Sequence, residues 1–123
     1  ATHKEIDIHG IVEATKLSMK RSVNKLKTKI DIILIDAINL DIKEYNISFN
    51  KADAISVSVA AASIIAKVAR DHMMSRIYAN LYPDYYFQDN KGYGSKAHIE
   101  SINSNGISKI HRKSFSPISN MML

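Results

Sequence analysis

An α/β fold is expected from this sequence, and three stretches support the expectation. Residues 51 to 71, KADAISVSVAAASIIAKVARD, put Val57, Ala61, Ile64, Ile65 and Val68 on one face of a helix, while Ala60, Ala62, Ser63 and Ala66 keep the remainder small and nearly uncharged. Residues 31 to 36, DIILID, are a short Ile-rich run bounded by acids, the pattern of a buried strand. Residues 8 to 30 place Ile8, Val12, Met19, Val23, Leu26 and Ile30 at helical spacing, with Lys16, Lys20, Arg21, Lys25 and Lys27 mostly opposite. Small residues let another backbone approach closely, so the helix at 51 to 71 is expected against a sheet or a second helix, covered on several sides.

Taken in order, Thr2 with Glu5 fits a capping box, and Gly10 marks a kink between a lead-in helix and the main one. The lysines of that helix suit either a solvated face or a binding face. Asp36 closes the strand at 31 to 36, the end where ligands gather in open α/β sheets; a turn acid capping the exit loop is the alternative. The alternation of Tyr45, Ile47 and Phe49 suggests a second strand. Asp53 or Ser56 then caps the long helix, which runs to about Leu81 and stops before Pro83. Its apolar stripe rotates to Met74, Ile77, Tyr78 and Leu81, so it changes neighbours there.

Residues 82 to 94, YPDYYFQDNKGYG, are aromatic and rich in turn formers. Tyr85, Tyr86 and Phe87 are expected to pack the loop onto the core. Tyr93, between two glycines and among basic residues, is expected to face a ligand, because stacking plus positive charge is how proteins grip nucleic acid. A short helix over Ser95 to Ser104 ends at Asn105-Gly106, and IHRKSFSP at 110 to 117 reads as a basic extended segment. Residues 119 to 123 read as a fraying end or the start of a terminal helix.

The 123 residues suffice for one domain, spanning 1 to 123, and no apolar run reaches the length of a membrane span. With no cysteine, disulfide frameworks and thiolate metal sites are excluded, and the cytoplasm is the expected compartment. A net charge of +5 favours a polyanionic partner. The stretch from Lys91 to Lys113 concentrates it, with Lys96, Lys109, Arg112, His98 and His111 against Glu100. The first residue is Ala and no signal-peptide pattern follows, so a processed or truncated beginning is expected.

Asp36 and Asp71 are the candidate catalytic carboxylates. They meet at one sheet edge if the long helix packs across the sheet, and oxygen ligands of this kind suit Mg²⁺ or Mn²⁺ rather than zinc. Two ions about 3.5 to 4 Å apart would activate a water for phosphodiester hydrolysis, a chemistry that usually takes three or four carboxylates, so either others such as Asp53 or Asp41 join or the site is incomplete in these residues. For Asp71 the structural alternative is an ordinary helical ion pair with Lys67. The five histidines, His3, His9, His72, His98 and His111, lack metal-ligand spacing, and neither a nucleophile elbow nor a phosphate-binding Gly-rich loop is present.

The blocks ILIDAINL at 33 to 40, KADAISVSVAAASIIAKVARD at 51 to 71, KGYGSKAH at 91 to 98 and IHRKSFSP at 110 to 117 closely resemble the C-terminal portion of bacterial ribonuclease HII. The resemblance implies a ribonuclease H-like mixed sheet flanked by helices. It also implies metal-dependent cleavage of RNA in RNA/DNA hybrids, including single ribonucleotides in duplex DNA, by a protein that is a monomer when complete. In that family four carboxylates hold the ions; Asp36 matches the strand-end aspartate and Asp71 the helix aspartate. Tyr93 matches the tyrosine that packs on the sugar at the RNA-DNA junction. Lys51, Ser56 and Ser58 fall in the segment that approaches the substrate backbone, and Lys91, Lys96, Arg112 and Lys113 are the remaining candidate nucleic-acid contacts.

The family's opening strand, with its Asp-Glu pair and Gly-Arg-Gly, has no counterpart in these residues, and Ala52 and Ile55 stand where glycine and lysine are usual. The expectation is therefore a ribonuclease HII without its first three strands, inactive as residues 1 to 123 alone. The alternatives are a noncatalytic nucleic-acid-binding module and a remnant without function.

Overall fold

The computed structural model describes residues 1 to 121, in two compact units: Ala1–Ile64, and a second that begins at Ile65.

The first unit opens with α1 (His3–Lys25), capped as expected: the Thr2 hydroxyl accepts from the Glu5 amide, and the Glu5 carboxylate accepts from the Thr2 amide at 2.8 Å. Gly10, at φ 77° and ψ 165°, breaks the helix, and the chain returns along itself, so that Arg21 donates to Glu5 at 2.6 Å. The helix ends at Lys25, short of Ile30; in a continued helix Lys25 and Lys29, four apart, would repel, and β-branched Thr28 and Ile30 disfavour another turn. Strands β1 (Ile33–Asp36) and β2 (Asn46–Phe49) follow and pair in parallel, with Ile33 opposite Asn46 and Asp36 opposite Phe49. Their carboxyl ends therefore share one edge, and Asp36 stands on it. Among the described residues this pair is the whole sheet. Ala14, Ile35, Leu40 and Ala52 are the buried apolar side chains of the first unit.

Where one long helix capped by Asp53 or Ser56 was expected, there are two. Lys51, left-handed at φ 57°, starts the short α2 (Ala52–Ile55), and Ser56, extended at φ −113°, separates it from α3 (Val57–Met73). Ser56 serves both: its N–H donates to the Ala52 carbonyl and its carbonyl accepts from Ala60. The expected covering of this helix is not found. No residue of α3 is buried; Val57 is 86% and Ile65 69% exposed, because among the described residues nothing lies on the apolar stripe.

Beyond α3 the helix widens into a π turn, Met74–Tyr78, before α4 (Ala79–Leu81). A wider turn rotates the side chains that follow, which accounts for the shift of the stripe at Met74. Tyr82 leaves the helix at φ −138° ahead of Pro83, as the proline requires. A 3₁₀ turn, Pro83–Tyr85, and α5 (Phe87–Asn90) come next.

The second unit's core is Ala79, Tyr85, Phe87, Ile102 and Ile118, with the Tyr85 and Phe87 rings stacked 5.7 Å apart. Tyr86, expected in the core beside them, is exposed in a left-handed conformation. Helix α6 (Lys96–Asn105) is capped by Ser95 and stopped at Gly106, φ 76°. The segment at 110 to 117 is folded into turns rather than extended, because Ser108 binds the His111 ring and draws it inward. Helix α7 (Ile118–Met121) realises the expected terminal helix; Met122 and Leu123 lie outside the described residues. No described helix is long and apolar enough to cross a membrane.

Candidate functional site

The second unit gathers a carboxylate, two cations and an aromatic ring. On α3, Lys67 donates to one oxygen of Asp71 at 2.8 Å, and Arg70 reaches the other at 3.3 Å. The Lys67 hydrogen bond, opposed by burial and supported to a lesser degree by the charges of Lys67 and Arg70, holds the Asp71 carboxyl below its ordinary value. The same pairing raises the Lys67 ammonium above its ordinary value. Both cations also face Tyr93, with the Arg70 guanidinium carbon 4.8 Å and the Lys67 nitrogen 5.5 Å from the ring centroid. The i, i+4 ion pair with Lys67 is thus present, and it is part of a larger constellation.

Tyr93 is half exposed, yet its backbone is fixed. Its N–H donates to the Asn90 carbonyl and its own carbonyl accepts from Ser95, both at 2.8 Å. Gly92 ahead of it lies at φ 78°, where an added Cβ would stand 3.1 Å from Met74. The Gly92 N–H donates to the side-chain oxygen of buried Asn90, whose amide donates to the Tyr85 carbonyl at 2.7 Å. Gly92 thus permits a tightly bonded turn beside Tyr93.

In the first unit, one oxygen of Asp36 accepts from the Ala52 amide at 2.9 Å, so the strand-end acid also caps α2. Lys51 is exposed beside that contact, Ser58 is exposed in the first turn of α3, and Ser56 is partly covered between the helices. Elsewhere in the second unit, Lys91 binds the Gln88 carbonyl, Lys96 lies 3.8 Å from Glu100, the Arg112 guanidinium lies over Phe115, and Lys113 is exposed. His98 and His111, counted above with the basic stretch, are buried and add nothing to its surface charge. The structure therefore joins Asp71 to Tyr93 within one unit and Asp36 to the start of α2 within the other. Arg70 and Asn90 escaped the sequence reading, although Arg70 lies in the block at 51 to 71 and Asn90 adjoins the block at 91 to 98.

Aspartate oxygens are the right donors for Mg²⁺ or Mn²⁺, and an ionised Asp71 is ready to ligate. The number of donors does not match. Among the described residues no group of three or more His, Cys, Asp or Glu side chains comes together, and Asp71 is already engaged by two cations. No catalytic step through a metal follows from these residues.

The sequence profile of ribonuclease HII matches residues 1 to 118. Ribonuclease HII of Macrococcus caseolyticus is 50% identical over 122 residues, which are 99% of this chain and 46% of that protein. The protein of the same name from Ligilactobacillus salivarius is 46% identical over 118 residues, 96% of this chain and 46% of its own. That of the Wolbachia of Brugia malayi is 47% identical over 121 residues, 98% of this chain and 59% of its own. The chain spans about half the length of the curated relatives it matches.

Proposed function

The chain belongs to the ribonuclease HII family, and on that premise we propose that it serves metal-dependent endonucleolytic cleavage of RNA in RNA/DNA hybrids and at single ribonucleotides in duplex DNA. The observation that supports this reading is the patch formed by Lys67, Arg70, Asp71 and Tyr93. A half-exposed ring backed by two cations offers a surface for a sugar or base, and the ionised carboxylate beside it is an oxygen ligand for Mg²⁺ or Mn²⁺. Asp36 is the second proposed ligand. Lys51, Ser56, Ser58, Lys91, Lys96, Arg112 and Lys113 are the proposed contacts to phosphates, and the working protein is proposed to be a cytoplasmic monomer.

Residues 1 to 123 supply, on this reading, two of the four carboxylates the family resemblance implies. Alone they grip the nucleic acid without cutting it. A noncatalytic binding module is the second reading, favoured by the use of an Asp36 oxygen as a structural cap. The two separate on Asp36→Asn in a protein extended to the length of its relatives: loss of cleavage supports the enzyme, and unchanged salt-dependent binding with no cleavage in either form supports the module.

The grip is tested by fluorescence anisotropy of a labelled duplex carrying one ribonucleotide. Stacking on an aromatic ring contributes about 1 to 3 kcal/mol per base. Tyr93→Ala is therefore expected to weaken binding by about 5- to 150-fold, and equal affinity would rule out this use of the ring.

A further inference from the structure

Two buried imidazoles in the second unit have no part in the function proposed above. His98 and His111 are 4% and 8% exposed, and their Nε2 atoms stand 3.1 Å apart. Their hydrogen positions follow from their neighbours. The Ser108 backbone N–H meets His111 Nδ1 at 2.9 Å, and since an amide N–H only donates, that nitrogen is bare. The Ser108 hydroxyl, 2.7 Å from the same nitrogen, donates as well. The proton of neutral His111 therefore sits on Nε2 and is donated to Nε2 of His98. His98 in turn carries its proton on Nδ1, which donates to the Tyr93 carbonyl at 2.9 Å. Together with Ser95, this bond gives that carbonyl two donors.

We propose that His98 and His111 are positioning residues that aim Tyr93 through a one-way hydrogen-bond relay, Ser108 to His111 to His98 to Tyr93, which exists only while both imidazoles are neutral. The relay stands on its own geometry; its use in gripping nucleic acid rests on the reading of Tyr93 given above.

A proton on His111 Nδ1 would face the Ser108 N–H, and one on His98 Nε2 would face the His111 Nε2–H, so either protonation breaks a bond of the chain. Aromatic rings pack against both imidazoles. The Phe87 ring lies 5.4 Å from His98 and 5.9 Å from His111, and Tyr85 lies 4.9 Å from His111. The Tyr85 phenol, raised by burial, remains neutral and donates to the Gly106 carbonyl. Arg112, next in sequence to His111, has its guanidinium over Phe115. Among the described residues no carboxylate bonds to either imidazole. Burial first, then neighbouring His98, lowers the His111 pKa to about 4.

The test is a long-range proton-nitrogen NMR spectrum of the 123-residue protein, with a pH titration of the Tyr93 ring signals. The expected result is His111 protonated on Nε2 and His98 on Nδ1, with the Tyr93 signals shifting in step with titration of His111. His98→Asn retains a donor where Nδ1 stood but loses the link to His111, so Tyr93 is expected to keep its neutral-pH signals and lose their pH response. In His98→Leu those signals move at neutral pH, with a cooperative melt as the check on folding. The opposite tautomers, or Tyr93 signals indifferent to the pair and to both substitutions, would overturn the proposal. Failure of Tyr93→Ala to weaken duplex binding would instead count against the proposed function and leave these spectra unchanged.

Discussion

Asp71 and Tyr93 share their cations, so the charge of one and the placement of the other are set together. The Lys67 ammonium and Arg70 guanidinium keep the acid ionised and lie against the ring. What fixes the ring's position is a left-handed glycine and a short set of backbone bonds. Gly92→Ala would place a Cβ 3.1 Å from Met74 in a conformation that costs about 1 to 2 kcal/mol for an L residue. A loss of that order is expected in urea denaturation, with displaced Tyr93 ring signals; unchanged stability and signals would contradict the account of the turn. His111 sets a pH dependence. Its folded pKa lies below its unfolded one, so the unfolded chain binds more protons between them. Its contribution to stability is present above about pH 6.5 and is lost as pH falls toward about 4, which thermal melts across that range would record. In His111→Leu this part of the pH dependence is expected to vanish.

At the level of elements, the exposed stripe of α3 is the main departure from what periodicity implied. Ile64 and Ile65 are 63% and 69% exposed, so Ile64→Lys is expected to change the stability of the 123-residue protein by no more than about 0.5 kcal/mol. A loss of several times that in chemical denaturation would mean that the face is covered. The contrast shows what the sequence could convey. Thr2, Gly10 and Gly106 act through their own few neighbours, and the structure places each in the role its local pattern suggested, while Ser95 caps the helix it was expected to begin. Asp36 and Asp71 were legible as candidate carboxylates because each sits at a recognisable point of a strand or helix. Burial of α3 depends on what packs against it, which a hydrophobic stripe does not identify. The His98–His111 contact joins residues thirteen apart through a turn that residue types at 107 to 117 do not specify, so the basic segment at 110 to 117 reads as extended. Arg70 and Asn90 were missed for a related reason: neither belongs to a spacing rule, and each matters through the ring and carbonyls it meets in space.

For the molecule as a whole, family membership is shown over nearly the whole chain, and the chemistry proposed from it rests on two separate sets of residues. The chain covers nearly all of its own length in each match and about half the length of its relatives. It presents the Asp71–Tyr93 patch on one unit and the Asp36 edge on the other, and among the described residues no group of three or more His, Cys, Asp or Glu side chains comes together. The net charge of +5 suits a nucleic-acid ligand whether or not cleavage follows. The central proposal is that Asp36 and Asp71 of residues 1 to 123 belong to a larger metal-binding set and that these residues do not cleave the hybrid alone. It is tested most directly by incubating the purified 123-residue protein with Mg²⁺ or Mn²⁺ and a duplex carrying one ribonucleotide, with the products resolved on a denaturing gel. The account predicts that the duplex stays intact. Steady turnover that Asp71→Asn abolishes would contradict it.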